Sequence, residues 1–194
     1  WLPAAVCLTA LILVGNRGLP AIAASTGFLG WVVARDAGVG LQAAALVIIA
    51  TAIGASLQAL AGRYLITRFV DAGANIDTAR QFMRLFLIAP IAGLVSPVIG
   101  ISAQYLAGVW PEGTFLLYLG NWWLGNVTAI GLLCPLLLGL RRGSFSQSAL
   151  LGAFIVVGMF ASYQLGTAAR QQASETWVAQ AGNSANHLTG IFVR

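Results

Sequence analysis

Charged side chains are scarce in this sequence, and lysine is absent from it. Asp, Glu and Arg make up 8% of the 194 residues, whereas 59% of the residues are hydrophobic. A soluble domain of this length needs a charged coat over most of its surface, and fifteen ionisable residues cannot provide one. The composition therefore excludes an ordinary soluble domain and predicts that lipid is the solvent of most of the chain.

The few charges are separated by long uncharged stretches. Four such stretches contain 26, 27, 28 and 27 residues and occupy 37–62, 85–111, 113–140 and 143–169. At about 1.5 Å per helical residue, each reaches roughly 40 Å, which is enough to cross the hydrocarbon core and both interfaces. The predicted fold class is all-α: a polytopic transmembrane helical bundle with a helical extramembrane stalk.

Apolar runs and turn residues predict about six helical spans. The first two are short, and the connector Gly15-Asn16-Arg17-Gly18 predicts either a tight hairpin or a partly re-entrant pair. Pro90, Pro97 and Pro135 fall inside apolar runs, where proline removes a backbone hydrogen bond and kinks a helix. The predicted spans are 1–14, 19–34, 41–66, 82–109, 115–140 and 149–167.

The arginines are distributed unevenly between the two ends of these spans. Seven fall at one end and three at the other, and the positive-inside rule places the richer end in the cytoplasm. The segment after the sixth span is then periplasmic or extracellular, and Trp1, Trp31 and Trp110 fall at outer ends, where indole rings prefer to lie. The predicted inner arginines are Arg17, Arg63, Arg68, Arg80, Arg84, Arg141 and Arg142, and the outer ones are Arg35, Arg170 and Arg194.

The last segment has the apolar spacing of an amphipathic helix. Steps of three and four residues, typical of a coiled-coil seam, join Ser174, Trp177, Ala181, Ser184, Leu188 and Ile191. The sequence thus predicts a membrane bundle over 1–145, a sixth transmembrane helix over 146–168, and a stalk over 169–194. The predicted dimer contacts of the stalk are Trp177, Ala181, Leu188 and Ile191. The alternative is a surface helix with a chance pattern, because two seam positions are serine.

Several amide side chains lie inside the apolar spans: Asn121, Asn126, Gln58 and Gln104. An unpaired amide in hydrocarbon costs several kcal/mol, so each is expected to face another helix or a wet cavity. The small residues Ala50, Gly54 and Gly62 share a helical stripe with Gln58, and we expect this face to pack on protein.

Trp122 and Trp123 lie inside the fifth span, although tryptophan usually lies at helix ends. Two interpretations of this region remain open. The first is bundle packing with interhelical hydrogen bonds. The second is a pocket that receives a small-molecule ligand or a helix of a partner protein. The candidate binding residues are Trp122, Trp123, Asn121, Asn126 and Gln58.

The groups that carry catalysis are missing from the predicted spans. His187 is the only histidine and lies in the last segment, and no Asp or Glu lies inside an apolar run. Cys7 and Cys134 lie in separate apolar runs and are expected to behave as small hydrophobes. No catalytic residue, metal ligand or cofactor is therefore predicted, and the scattered arginines do not indicate nucleic-acid binding. A small transporter or channel subunit remains an alternative, although intramembrane charge and inverted repeats are missing.

Four segments of the chain follow one another in an order that is itself informative. They are Trp1-Leu2-Pro3-Ala4-Ala5, Gly15 to Pro20, Ser56 to Leu65, and Trp122-Trp123-Leu124-Gly125-Asn126 followed by Gly131 and Cys134-Pro135-Leu136-Leu137-Leu138. Over residues 1 to about 140, this order resembles the MASE-type membrane-associated sensor domain of the first type. The resemblance has two departures, because Asn126 stands where the family has Asp and Gln58 where it often has Glu. A signal that depends on those carboxylates cannot operate here in the same way.

The resemblance implies a membrane input module at the amino end of a bacterial histidine kinase or of a cyclic-di-GMP enzyme with GGDEF or EAL domains. It also implies an inner-membrane location, at least one span before Trp1, and a CHASE-like periplasmic sensor beyond the stalk. The homodimer is predicted from the stalk, because an apolar seam needs a partner helix. The partner would be a small-molecule signal or a neighbouring membrane protein. Within the same class, the alternative is a docking platform that contacts a neighbouring membrane transporter.

Overall fold

The computed structural model describes residues 2–71, 76 and 78–140, with side chains as far as 138. Throughout these ranges the regular structure is helical, without strands, so the all-α prediction is confirmed. A 3-10 turn, Gly15–Gly18, follows the first helix, and a π-helical turn, Ile66–Val70, extends the third. The α-helices are α1 (Leu2–Val14), α2 (Leu19–Asp36), α3 (Leu41–Leu65), α4 (Ala79–Leu106) and α5 (Phe115–Leu140). The predicted sixth span, the stalk and Trp1 lie outside the described residues.

Four segments of the described chain are long and apolar enough to cross a membrane. They are Leu2–Asp36, Leu41–Val70, Ala79–Leu106 and Phe115–Leu138. The prediction of six spans is not confirmed, because two of the predicted spans fall within the first of these segments and the predicted sixth span lies outside the described residues. α1 alone is too short to cross a membrane, because its 13 residues reach about 20 Å, whereas the hydrocarbon core is about 30 Å thick.

α1 packs against the half of the bundle that lies near the α3–α4 connection. Leu8 fills the space beside Gly62, close to the end of α3, and a Cβ on that glycine would be 2.9 Å from Leu8 Cδ1. Thr9 Oγ1 donates a hydrogen bond to Cys134 Sγ at 3.5 Å, close to the end of α5. These contacts place α1 beside one half of the depth of the bundle.

Consecutive helices from α2 to α5 pack side by side, and glycine permits the close approach. Gly30 of α2 faces α3, Gly54 of α3 faces α4, and Gly93 of α4 faces α5. A Cβ at these positions would come within 3.0 to 3.3 Å of the neighbouring helix. Small residues allow this contact in lipid, where packing rather than water exclusion holds helices together. The prediction that Gly54, Gln58 and Gly62 face protein is confirmed, since all three are buried.

Two glycine turns close the end of the bundle opposite the α3–α4 connection. Gly38 after α2 and Gly108 after α4 have φ values of +65° and +73°. Beyond them, Val39 N–H bonds to Ala34 O at 3.3 Å, and Val109 N–H bonds to Gln104 O at 2.9 Å. These are Schellman turns, in which a residue without a Cβ adopts the left-handed region without steric cost.

The start of α4 is fixed by a capping box. Gln81 N–H donates to Thr78 Oγ1 at 3.3 Å, and Thr78 N–H donates to Gln81 Oε1 at 3.0 Å. Each side chain satisfies a backbone donor that would have no partner in the first turn of the helix. Arg80 and Arg84 follow the cap within the first two turns of α4, and the rest of the helix carries no charged residue.

The interior is mostly apolar, and much of the outer surface is apolar as well. Cys7 and Cys134 are buried, free cysteines. On the outside, Leu87 and Ile91 are exposed by 69% and 63%. Such surfaces are suited to hydrocarbon rather than water. The largest core cluster comprises Leu8, Ile66, Val70, Leu85, Ala89, Ala92, Ile130, Cys134 and Leu138.

Candidate functional site

Two buried amide side chains connect α3 to α5 inside the bundle. Asn126 Nδ2 donates a hydrogen bond to Gln58 Oε1 at 3.0 Å. Asn126 is 1% exposed and Gln58 is 4% exposed. By helical rise, Asn126 lies about 17 Å from the start of α5, which is near the middle of a bilayer about 30 Å thick.

The same two amides also bind the backbone of α4. Gln58 Oε1 accepts a hydrogen bond from the Ser96 N–H at 3.1 Å. Asn126 Nδ2 donates a second hydrogen bond to the Gly93 carbonyl at 3.2 Å. Gln58, Asn126, Gly93 and Ser96 therefore form one contact among three helices, which we call the polar junction.

The junction lies at Pro97, where the proline lacks the N–H that would continue the hydrogen bonding of α4. Gly93 is four residues before Pro97, so its carbonyl is the one that would accept the N–H that proline lacks. In a membrane, a carbonyl freed in this way needs a donor from a neighbouring helix. Asn126 provides that donor, and Gln58 provides an acceptor for Ser96, the residue just before the proline.

The network fixes the orientation of both amides. Ser96 N–H is a donor, so Gln58 must present its oxygen to it. That oxygen and the Gly93 carbonyl are acceptors, so Asn126 must present its NH₂ group to both. The remaining oxygen, Asn126 Oδ1, is buried without a hydrogen-bond partner in the described part of the chain. A buried unpaired acceptor costs about 1–3 kcal/mol.

The two predicted tryptophans flank the junction and also contact α4. Trp123 Nε1 donates to the Pro90 carbonyl at 2.9 Å. The Trp122 ring packs against Gly100, where a Cβ would lie 3.1 Å from Cη2. Both side chains are partly buried. α4 thus brings together Gln58, Asn126, Trp122 and Trp123.

Asn121 does not join this group. It is exposed, whereas Asn126 is buried. The five positions between them correspond to about 140° around the helix, so the two side chains leave α5 in different directions. Sequence reasoning missed the backbone partners Gly93, Ser96 and Pro90. The spacing of four residues between Gly93 and Pro97 is the signal that could have identified one of them.

The third buried amide, Gln104, is satisfied away from the junction. Gln104 Oε1 accepts a hydrogen bond from Trp110 Nε1 at 2.9 Å, and the Trp110 ring stacks on Tyr118 at a centroid distance of 3.9 Å. Gln104 is 2% exposed. This contact joins α4 to α5 near the connecting loop and shows that an amide in this bundle can be satisfied by local packing.

The junction offers neutral donors and acceptors and no ionisable side chain. Within the described ranges, no group of three or more His, Cys, Asp or Glu side chains could hold a metal ion. The helices are close together here, since a Cβ on Gly93 would be 3.3 Å from Val127 and 3.4 Å from Asn126 Cβ. The geometry at the junction therefore fits helix packing with interhelical hydrogen bonds. It fits a large ligand pocket at the same place less well.

Comparison with known proteins gives one positive result. The family model MASE1 matches residues 1–173, a range that contains the whole junction and both tryptophans. No curated protein and no solved structure matches the chain. The extent of the family match, together with the helical membrane bundle, shows that the chain belongs to the MASE1 family of membrane-associated sensor domains.

Proposed function

We propose that this chain is the membrane-embedded signal-input region of a bacterial receptor, whose output is a histidine kinase or a cyclic-di-GMP enzyme. Binding of a small-molecule signal or of a neighbouring membrane protein would change the packing of α3, α4 and α5, and that change would pass to the output domain. The observation that carries the proposal is the polar junction, which joins three helices at the point where Pro97 weakens α4.

The energetics of the junction suit a switch between two packings. Asn126 Oδ1 has no hydrogen-bond partner among the described residues, so an alternative packing that gives it a donor would gain about 1–3 kcal/mol. Coupling free energies between sites are typically about 1–3 kcal/mol. A signal can shift such an equilibrium only by the difference in its affinity for the two packings. A free-energy difference of this size is large enough to change the populations of the two packings. It is also small enough for the binding of a signal to reverse it.

The test uses the full-length receptor, with its output activity and its amount in the membrane measured together. Asn126→Leu removes both hydrogen bonds that α5 makes in the junction. We expect the output to lose its dependence on growth conditions while the receptor remains in the membrane. Thr128→Val is the matched control, because Thr128 is exposed and its hydroxyl bonds only to Leu124 of its own helix, at 2.8 Å.

A second variant keeps this test decisive if Asn126→Leu fails to fold. Trp123→Phe removes only the hydrogen bond to the Pro90 carbonyl and keeps an aromatic ring beside α4. We expect a smaller but measurable change in the response. A normal response in both variants, at normal abundance, would contradict the proposal.

We also propose that the receptor is a homodimer with a periplasmic stalk over 169–194. The support is the seam of Trp177, Ala181, Leu188 and Ile191, whose apolar side needs a partner helix. Single cysteines along the stalk provide the test. Strong symmetric cross-links are expected at seam positions such as Trp177 and Leu188 and not at the flanking Gln180. Uniform cross-linking, or none, would reject the stalk.

A further inference from the structure

An apolar groove of about 520 Å³ runs along α2 and α3, away from the polar junction. Its lining includes the small residues Ala24, Gly27 and Ala52 and the aromatic rings of Phe28 and Trp31. The two rings are 5.5 Å apart, and both are exposed by more than 40%. A groove of this volume is in the range of small-molecule sites, and here it faces the surface that the membrane covers.

An arginine lies at one end of this groove. Ala24, Phe28, Trp31 and Arg35 follow one another at steps of four, three and four, so they share one face of α2. The Arg35 guanidinium lies over the Trp31 ring, 5.5 Å from its centroid. This cation–π contact holds the charge at the groove, although Arg35 itself is exposed. Asp36 is the next residue, about 100° further around the helix, and does not share this face.

The length of this stripe matches one leaflet of a bilayer. From Ala24 to Arg35 the helix rises about 16 Å, and half of the hydrocarbon core is about 15 Å thick. The deep end of the groove is therefore apolar, and its shallow end carries a positive charge at the depth of the lipid headgroups.

We propose that the groove binds one acyl chain of an anionic phospholipid whose phosphate pairs with Arg35. The charge favours this occupant over a zwitterionic lipid, because a basic residue near the membrane surface attracts anionic headgroups. A second copy of the chain is a poorer fit. A two-fold axis along the membrane normal would bring Arg35 towards the partner copy's equivalent arginine at the same depth.

The test measures thermal unfolding and retained lipid on the purified full chain in detergent. Phosphatidylglycerol is compared with phosphatidylcholine of identical acyl chains, and lipid retention is followed by native mass spectrometry. We expect phosphatidylglycerol to raise the unfolding temperature by several degrees more than phosphatidylcholine does. Arg35→Gln removes the phosphate partner and Ala24→Phe fills the groove, so each should abolish the difference between the two lipids.

Matched variants on the same stretch of chain serve as controls. Arg17→Gln removes an exposed arginine before the other end of α2, and Leu29→Phe places a ring at an exposed position that lies about 140° around the helix from Ala24 and does not line the groove. Both should keep the preference for phosphatidylglycerol. Equal effects of the two lipids on the unmodified chain would overturn the proposal, as would a preference that survives Arg35→Gln. A change from dimer to monomer in Ala24→Phe, without any lipid effect, would overturn it in favour of a second copy.

Discussion

Asn126 of α5 donates a hydrogen bond to the Gly93 carbonyl of α4, the carbonyl that Pro97 leaves without a helical partner. The proline thus weakens α4 and at the same time creates the acceptor that holds α5. The second acceptor of the same NH₂ group is Gln58 Oε1, so α3 is joined at the same point. The predictions below treat this junction as the part of the bundle where helix packing can be changed most directly.

Loss of the Asn126 side-chain amide should destabilise the bundle. Asn126→Leu leaves the Gly93 carbonyl without a donor, and we expect a loss of about 1–2 kcal/mol in the free energy of unfolding. Reversible unfolding in mixed detergent and SDS micelles measures this value. Thr128→Val should change it by less than about 0.5 kcal/mol, because that hydroxyl bonds within its own turn. Equal values for the two variants would contradict the assignment.

Pro97 and Asn126 should be energetically coupled. Pro97→Ala supplies a backbone N–H that can bind the Gly93 carbonyl, so the donor from Asn126 becomes partly redundant. Asn126→Leu should therefore cost less in the Pro97→Ala background than in the unmodified chain, by about 0.5–1 kcal/mol. A double-mutant cycle of unfolding free energies measures the coupling. Additive effects would show that the two residues act independently.

Three Gly→Ala substitutions should differ in their effect on stability, because the space beside each glycine differs. Gly30→Ala places a Cβ 3.0 Å from Ile48 Cα, an atom of the backbone that cannot move aside, and should be clearly destabilising. Gly62→Ala meets the flexible end of Leu8 at 2.9 Å and should cost less. Gly120→Ala has no atom within 4 Å and should stabilise α5 by up to about 1 kcal/mol. Thermal unfolding of the three variants tests this order, and a different order would contradict the packing.

The long helices could be predicted because charge and apolar length specify them directly. The predicted bounds 115–140 match α5, and those for α3 and α4 differ by at most three residues. The depth of α1 could not be predicted, because 13 apolar residues with a Gly-Asn-Arg-Gly turn fit either a hairpin or a re-entrant segment. Its contacts with Gly62 and Cys134 depend on long-range packing that no local pattern contains.

The burial of the site residues could be predicted from the sequence, whereas their hydrogen-bond partners could not. Burial of Gln58 and Asn126 follows from the cost of an unpaired amide in hydrocarbon, which holds for any fold. Their hydrogen-bond partners depend on the rotation of each helix about its own axis and on the backbone hydrogen bond that Pro97 removes from α4. The sequence does not specify that rotation. Asn121 illustrates the difference, since it is equally polar and lies on the same span, yet α5 turns it to the surface.

The central claim is that a change in the packing of α3, α4 and α5 carries the signal, and a disulfide lock between α3 and α4 tests it most directly. A Cβ at Gly54 would be 3.4 Å from Ser96 Cα, so cysteines at the two positions fall within disulfide reach. The full-length receptor carrying Gly54→Cys and Ser96→Cys, with Cys7 and Cys134 changed to alanine, is compared oxidised and reduced. We expect the oxidised receptor to hold one fixed output under all growth conditions and the reduced receptor to respond. A response that is the same in both states would contradict the account.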